Sequence, residues 1–123
     1  MTSSQTVVAF GVYVVFAALI LLFAPGLLFA LLLSPPPGDP YYIVLGIIAL
    51  GIGYYYLRLG RAGSQAFVQA TVIGRLAVAI GLGVAVGLGA LPMGLLIFAL
   101  VELLGALWTG LALRREGLAA LTF

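Results

Sequence analysis

Cysteine, histidine and lysine are all absent from the 123 residues. Without cysteine there is no disulfide framework, no thiolate metal site and no cysteine nucleophile. Without histidine and lysine, the commonest general base, the commonest metal ligand and the Schiff-base amine are gone as well. Charge is scarce too. Only 7% of residues are Asp, Glu, Lys or Arg, against about 25% in an ordinary soluble domain. They are Asp39, Glu102, Glu116, Arg58, Arg61, Arg75, Arg114 and Arg115, too few to give a globule of this size a water-compatible surface. Disorder is excluded by the opposite property: 65% of the residues are apolar, whereas disordered chains are poor in apolar residues. Basic runs never exceed two residues, so the net charge of +2 carries no nucleic-acid footprint. No metal-ligand spacing, catalytic triad or Gly-rich phosphate loop occurs, and no cofactor or metal is expected. What remains is a chain whose solvent is mostly lipid. Arginine without lysine, in a sequence rich in Ala, Leu, Gly and Val, points to a bacterial source.

The first apolar run, Val7 to Ala24, has no charge and is long enough to cross about 30 Å of hydrocarbon. The segment before it, MTSSQT, also carries no charge, which predicts a retained span rather than a cleaved signal peptide. Pro25-Gly26 interrupts the run. The apolar stretch 27–33 that follows is too short to cross, so 25–33 is read as a short interfacial helix, the alternative being a kinked end of the first span. Four prolines between Ser34 and Pro40 make a loop. The second span, 41–57, has Tyr41 and Tyr42 at one end and Tyr54, Tyr55 and Tyr56 at the other, as an interfacial aromatic belt predicts. The third, 65–91, contains Arg75. Pro92 suits the first turn of the fourth, 93–113, which contains Glu102, with Trp108 as an interfacial anchor near its end. The expectation is an all-α polytopic membrane protein: one integral domain over 1–123, a four-transmembrane-helix bundle with a short interfacial helix after the first span.

An even number of spans puts both termini on one side. Arg58, Arg61, Arg114 and Arg115 then share that side, while the other carries Asp39 and no basic residue. The positive-inside rule predicts that both termini are cytoplasmic, in a bacterial inner membrane.

Small residues recur along the later spans. Ala79, Gly83 and Gly87 repeat every four residues, as do Gly81, Ala85 and Gly89. In the fourth span Ala99, Gly105, Ala106 and Thr109 share a face with Glu102, by the 3.6-residue helical period. Such stripes let helix backbones approach closely, either inside the bundle or at an interface with a partner or a second copy. Arg75 and Glu102 are the ionisable groups deep in apolar sequence, where charges face inward and pair. Counted from the arginine-bearing turns they lie at similar depths on adjacent antiparallel spans. An intramembrane Arg75–Glu102 pair is therefore expected, with Tyr13 as a third polar partner. Two roles are open for it: a lock between two helices, or a polar site for a small ligand, an ion or a proton.

The layout resembles the small four-helix bacterial membrane proteins of the DoxX-like type. The resemblance rests on Phe23-Ala24-Pro25-Gly26-Leu27-Leu28 closing the first helix, on Gly74-Arg75-Leu76, and on Val101-Glu102-Leu103 ahead of the terminal arginine pair, within residues 7–115. It implies a four-helix bundle and no particular activity. Catalytic side chains are few, soluble parts are minimal and small-residue faces are abundant. The sequence thus predicts a non-enzymatic integral subunit that packs against or helps assemble a larger membrane complex, its partners being lipid and other membrane subunits or itself. The alternative is a small oligomeric transporter or ligand-binding protein that uses the intramembrane pair.

Overall fold

A computed structural model describes residues 1–122, and the described residues form helices and turns with no strand. Helix α1 spans Ser3–Phe23. It starts ahead of the apolar run because Thr2 and Gln5 form a capping box: Thr2 Oγ1 accepts from the Gln5 N–H (3.2 Å) and Gln5 Oε1 accepts from the Thr2 N–H (3.0 Å). It ends at Phe23 because Ala24 precedes a proline, which disfavours helical dihedrals, and takes φ −141°, ψ 57°. Pro25 opens α2, Pro25–Leu31, where its missing N–H costs nothing. Helix α3 covers Tyr41–Arg61, α4 Gln65–Gly87 and α5 Leu96–Arg115, with a 3₁₀ turn over Met93–Leu95. Ser64 caps α4 by accepting from the Phe67 N–H (3.4 Å). Helix α4 stops four residues short of the expected 91, where Gly89 turns the chain at φ +78°.

The four long helices, α1, α3, α4 and α5 (the last with its 3₁₀ turn), are each long and apolar enough to cross a membrane. The chain is a multi-pass membrane protein. Helix α1 lies centrally, packed along α3 on one side and on α5 on the other, and α4 packs on α5. Helix α4 also reaches α3 where Phe67 meets Tyr56 edge-on, ring centroids 5.5 Å apart. Two apolar cores result. Val7, Val68, Val72 and Leu113 fill the end that carries both termini, and Leu21, Leu28 and Leu32 fill the far end, with Leu95 and Phe98 against them. The second core shows what α2 does: it folds back on α1 and brings Leu32, at its C-terminal cap, over the 3₁₀ turn at the far end. Gly94 allows that approach, since a Cβ there would collide with the Leu32 carbonyl oxygen.

The closest helix pair is α1 with α3, and glycine makes it so. Gly46, Gly53 and Gly60 recur every seven residues on one face of α3. A Cβ would stand 2.7 Å from Leu22 at Gly46, 2.6 Å from Val15 Cγ2 at Gly53 and 2.8 Å from Val8 Cγ2 at Gly60. A seven-residue repeat keeps one seam against a neighbouring helix, and backbones without side chains let van der Waals packing hold it in lipid.

The stripe Ala79-Gly83-Gly87 behaves differently. A Cβ at Gly81, Gly83 or Gly87 would meet nothing within 4 Å, and Ala79 is only half-buried. The buried residues of α4 are Val68, Thr71, Val72 and Arg75, all in its first half. The packing expected of that stripe within the bundle is therefore not made. Gly105 and Ala106, by contrast, are buried on α5.

Candidate functional site

Arg75 is 1% exposed and is the bulkiest of the fully buried side chains. Its side chain bends back along α4 toward the helix N-terminus, as helical side chains do. There Nε donates to the Thr71 carbonyl (3.1 Å) and Nη2 to Thr71 Oγ1 (3.0 Å). Nη2 also donates across to Thr109 Oγ1 on α5 at 2.7 Å. Two aromatic rings close over the cation, Phe10 with its centroid 4.7 Å from Cζ and Tyr56 at 5.9 Å. A bare arginine at this depth costs about 2.5–3.5 kcal/mol on insertion scales. Charge-assisted hydrogen bonds and ring faces offset that cost.

The network continues to the surface, and its proton directions are fixed. Thr6 Oγ1 donates to the Ser3 carbonyl (2.6 Å) and lies 2.8 Å from Thr109 Oγ1. A hydroxyl has one proton, so Thr109 must donate to Thr6 while accepting from Arg75. On the other side, Thr71 Oγ1 donates to the Val68 carbonyl at 2.7 Å. Ser3 then closes on the C-terminal turn of α5: its N–H donates to one Glu116 oxygen (2.8 Å) and its hydroxyl to the other (2.6 Å). The line Arg75–Thr109–Thr6–Ser3–Glu116 thus runs from a buried cation to an exposed carboxylate and ties α4, α5 and α1 together. The two hydrogen bonds from Ser3, hydroxyl first and amide second, hold the Glu116 carboxyl below its ordinary pKa.

Glu102 does not complete this cluster. Among the described residues no carboxylate oxygen lies within 4.0 Å of the Arg75 guanidinium. Arg75 faces Thr109 and Gly105, and Glu102 lies three residues further along α5, about 4.5 Å of helix rise. Side chains also lean toward the N-terminus of their own helix. On antiparallel neighbours that leaning carries the arginine and glutamate tips apart even when their backbones are close. Counting both depths from the turns therefore placed the two residues too nearly level. Tyr13 stands beside the cluster, its ring 5.2 Å from that of Phe10, and its hydroxyl makes no hydrogen bond to it among the described residues.

One part of Arg75 is left over. Nη1 is buried and has no hydrogen-bond partner. It points toward Gly105, where a Cβ would stand 3.1 Å from it and 2.6 Å from Phe10 Cε2. Phe10 and Gly105 also line a laterally open groove of about 510 Å³ between α1 and α5, together with Ala9, Tyr13, Leu104 and Trp108.

Arg58 and Arg61 sit in the last turn of α3, Arg114 and Arg115 in that of α5, all exposed at the end that holds Ser3 and Glu116. Tyr41 is exposed at the opposite end, where Tyr42 packs against the second core. Trp108 is half-exposed on α5. Of the three consecutive tyrosines, Tyr54 and Tyr55 point outward, whereas Tyr56 turns in over Arg75. The sequence signals for the true partners were Thr71, one turn before Arg75, and Thr109, on the same face as Glu102.

No family model matches the chain, and neither a search of curated proteins nor one of solved structures gives a match.

Proposed function

We propose that this chain is a non-enzymatic integral subunit of a larger membrane protein complex. The observation that carries the reading is the second half of α4. Gly81, Gly83 and Gly87 face open space there, and Ile80 and Val84 are 66% and 55% exposed. Small residues at helical spacing suit close approach by another transmembrane helix, and this chain supplies none. The four exposed arginines at the end holding both termini support a cytoplasmic placement of that end, in a bacterial inner membrane. Native mass spectrometry of the protein extracted gently from its own membrane tests the reading. A stoichiometric assembly with another membrane protein is expected, and a lone monomer or homo-oligomer would overturn it.

A small oligomeric transporter or ligand-binding protein is the second reading, favoured by the buried Nη1 of Arg75, which has no partner beside Gly105. It requires a flux or a bound solute in liposomes containing only this chain.

A further inference from the structure

From the cavity at the end of the α1–α3 seam we infer that this chain holds one anionic phospholipid there, its phosphate against Arg61, Ser4 and Gln5 and its acyl chains along Val8 and Ala9. The inference goes beyond the subunit reading and stands on the spanning helices alone. The cavity, about 560 Å³, lies between the first turns of α1 and the last turn of α3, with Gly60 and Gly63 on its α3 side. Its polar lining offers donors. Arg61 brings five guanidinium N–H groups and Ser4 a hydroxyl, and neither side chain has a hydrogen bond or ion pair among the described residues. Gln5 is oriented by the capping box: its Oε1 accepts from the Thr2 N–H, which leaves both hydrogens of its Nε2 free. No carboxylate lines the cavity. Glu116, the one acid at that end, is engaged by Ser3 instead. Arg58, Arg114 and Arg115 add positive potential at the same end.

Depth and lining together select a lipid. Helices α1 and α3 each have 21 residues, about 31 Å of helix rise, which matches the thickness of the hydrocarbon. Their ends therefore stand at the headgroup level, and Ser4 and Arg61 lie where phosphates are. Val8 and Ala9 lie about one turn further in and give the cavity an apolar floor. At the base, Gly60 brings α3 so near that a Cβ would stand 2.8 Å from Val8 Cγ2. Beyond the helix end, Gly63 turns the chain at φ +69° and carries no side chain to cover the opening. A free phosphate would leave the apolar floor bare, whereas a phospholipid covers both parts. A zwitterionic headgroup carries a cation beside its phosphate, which the arginines at this end repel. An anionic headgroup meets opposite charge alone.

Native mass spectrometry of the full chain in detergent micelles, titrated with phosphatidylglycerol or with phosphatidylcholine of the same acyl chains, reads the affinity of the first bound lipid. Phosphatidylglycerol should bind about fivefold more tightly, the size of one arginine contact near a membrane surface. Arg61→Gln should abolish the preference, and Arg61→Lys should keep most of it. Ser4→Phe fills the cavity without removing a charge and should abolish it too. Arg115→Gln removes one charge from the same end but outside the cavity, and should leave the preference intact. Soluble glycerophosphoglycerol has the same headgroup without chains and should not compete with the lipid. Equal affinity for the two lipids in the native chain would overturn the inference, as would a preference that survives Ser4→Phe. Equal losses in Arg61→Gln and Arg115→Gln would overturn it too, since they mark diffuse attraction by charge. Competition by the soluble headgroup would do the same, because the ligand would then be a free phosphate ester. Helix content by circular dichroism identifies any variant that fails to fold, and if that is Arg61→Gln, Ser4→Phe against Arg115→Gln decides. A lone chain in the native extract removes the subunit reading and leaves this one, and equal lipid affinities do the reverse.

Discussion

Arg75 on α4 and Thr109 on α5 are joined by a 2.7 Å hydrogen bond from Nη2 to Oγ1. Thr109 is 0% exposed and passes its own proton to Thr6 on α1. One hydroxyl therefore joins three helices, and the bundle's only deep cation depends on it rather than on the deep carboxylate.

Thr109→Val keeps the shape and removes the hydroxyl. It leaves one Nη2 donor without an acceptor and takes from Thr6 Oγ1 the proton it accepts, which should destabilise the folded chain by about 1–3 kcal/mol. Thr109→Ser should recover most of that. Glu102→Gln, in contrast, breaks no hydrogen bond to the cluster and should cost less than Thr109→Val. Unfolding in mixed micelles, monitored by circular dichroism, ranks the three.

Phe10→Leu keeps an apolar side chain of somewhat smaller volume and removes the ring 4.7 Å from the Arg75 guanidinium. A desolvated cation–π contact contributes about 2 kcal/mol, so a loss of about 1–2 kcal/mol is expected. In an Arg75→Met background, where no cation remains, the same substitution should cost much less. A double-mutant cycle reads the difference directly.

Glycines on the two faces should answer oppositely to alanine. Gly53→Ala drives a methyl to 2.6 Å from Val15 Cγ2 with backbone close behind, and overpacking of this kind costs about 1–3 kcal/mol. Gly83→Ala meets nothing within 4 Å and gains up to about 1 kcal/mol of helix propensity. If a partner helix packs on α4, Gly83→Leu should leave the isolated chain folded while releasing it from the native assembly.

The Ser3–Glu116 tie predicts a pH dependence with a definite sign. The folded-state pKa of Glu116 lies below its unfolded value. Its contribution is therefore fully present above the ordinary glutamate range and is lost as pH falls through the lowered folded value. The carboxylate is exposed, so the effect should be small and weaken with salt. Thermal unfolding between pH 3 and pH 7 should show it in the native chain and not in Glu116→Gln.

Most of the fold was legible because its signals are local and strong. Uncharged runs bounded by Pro25, by the prolines between Ser34 and Pro40, and by Gly63 mark where helices can exist. The capping box at Thr2 was also in plain sight, although hydropathy alone started the helix at Val7. The partners were harder, because pairing between helices depends on register and on side-chain direction. Arg75 and Glu102 look matched by charge and by depth, yet antiparallel leaning and the three-residue step beyond Gly105 part them. Threonine carries no charge to attract notice, although Thr71 stands one turn from the arginine that it holds. The glycine pattern misled in a similar way. The four-residue stripe on α4 faces open space, while the seven-residue series Gly46, Gly53 and Gly60, hidden among the tyrosines and leucines of α3, makes the tightest seam. Tyr56 belongs to a run that reads as an interfacial belt, and only the rotation of α3 shows which of the three turns inward.

Rotational-echo solid-state NMR on the chain in bilayers tests the central claim, that Arg75 is held by threonines and not by Glu102. With Glu116→Gln, Glu102 is the sole glutamate, so its ¹³Cδ signal can be dephased by ¹⁵N-labelled guanidinium nitrogens without ambiguity. The account predicts no dephasing of the strength given by an ion pair with N–O contact within 4.0 Å. Strong dephasing at Glu102, lost in Arg75→Gln, would contradict it.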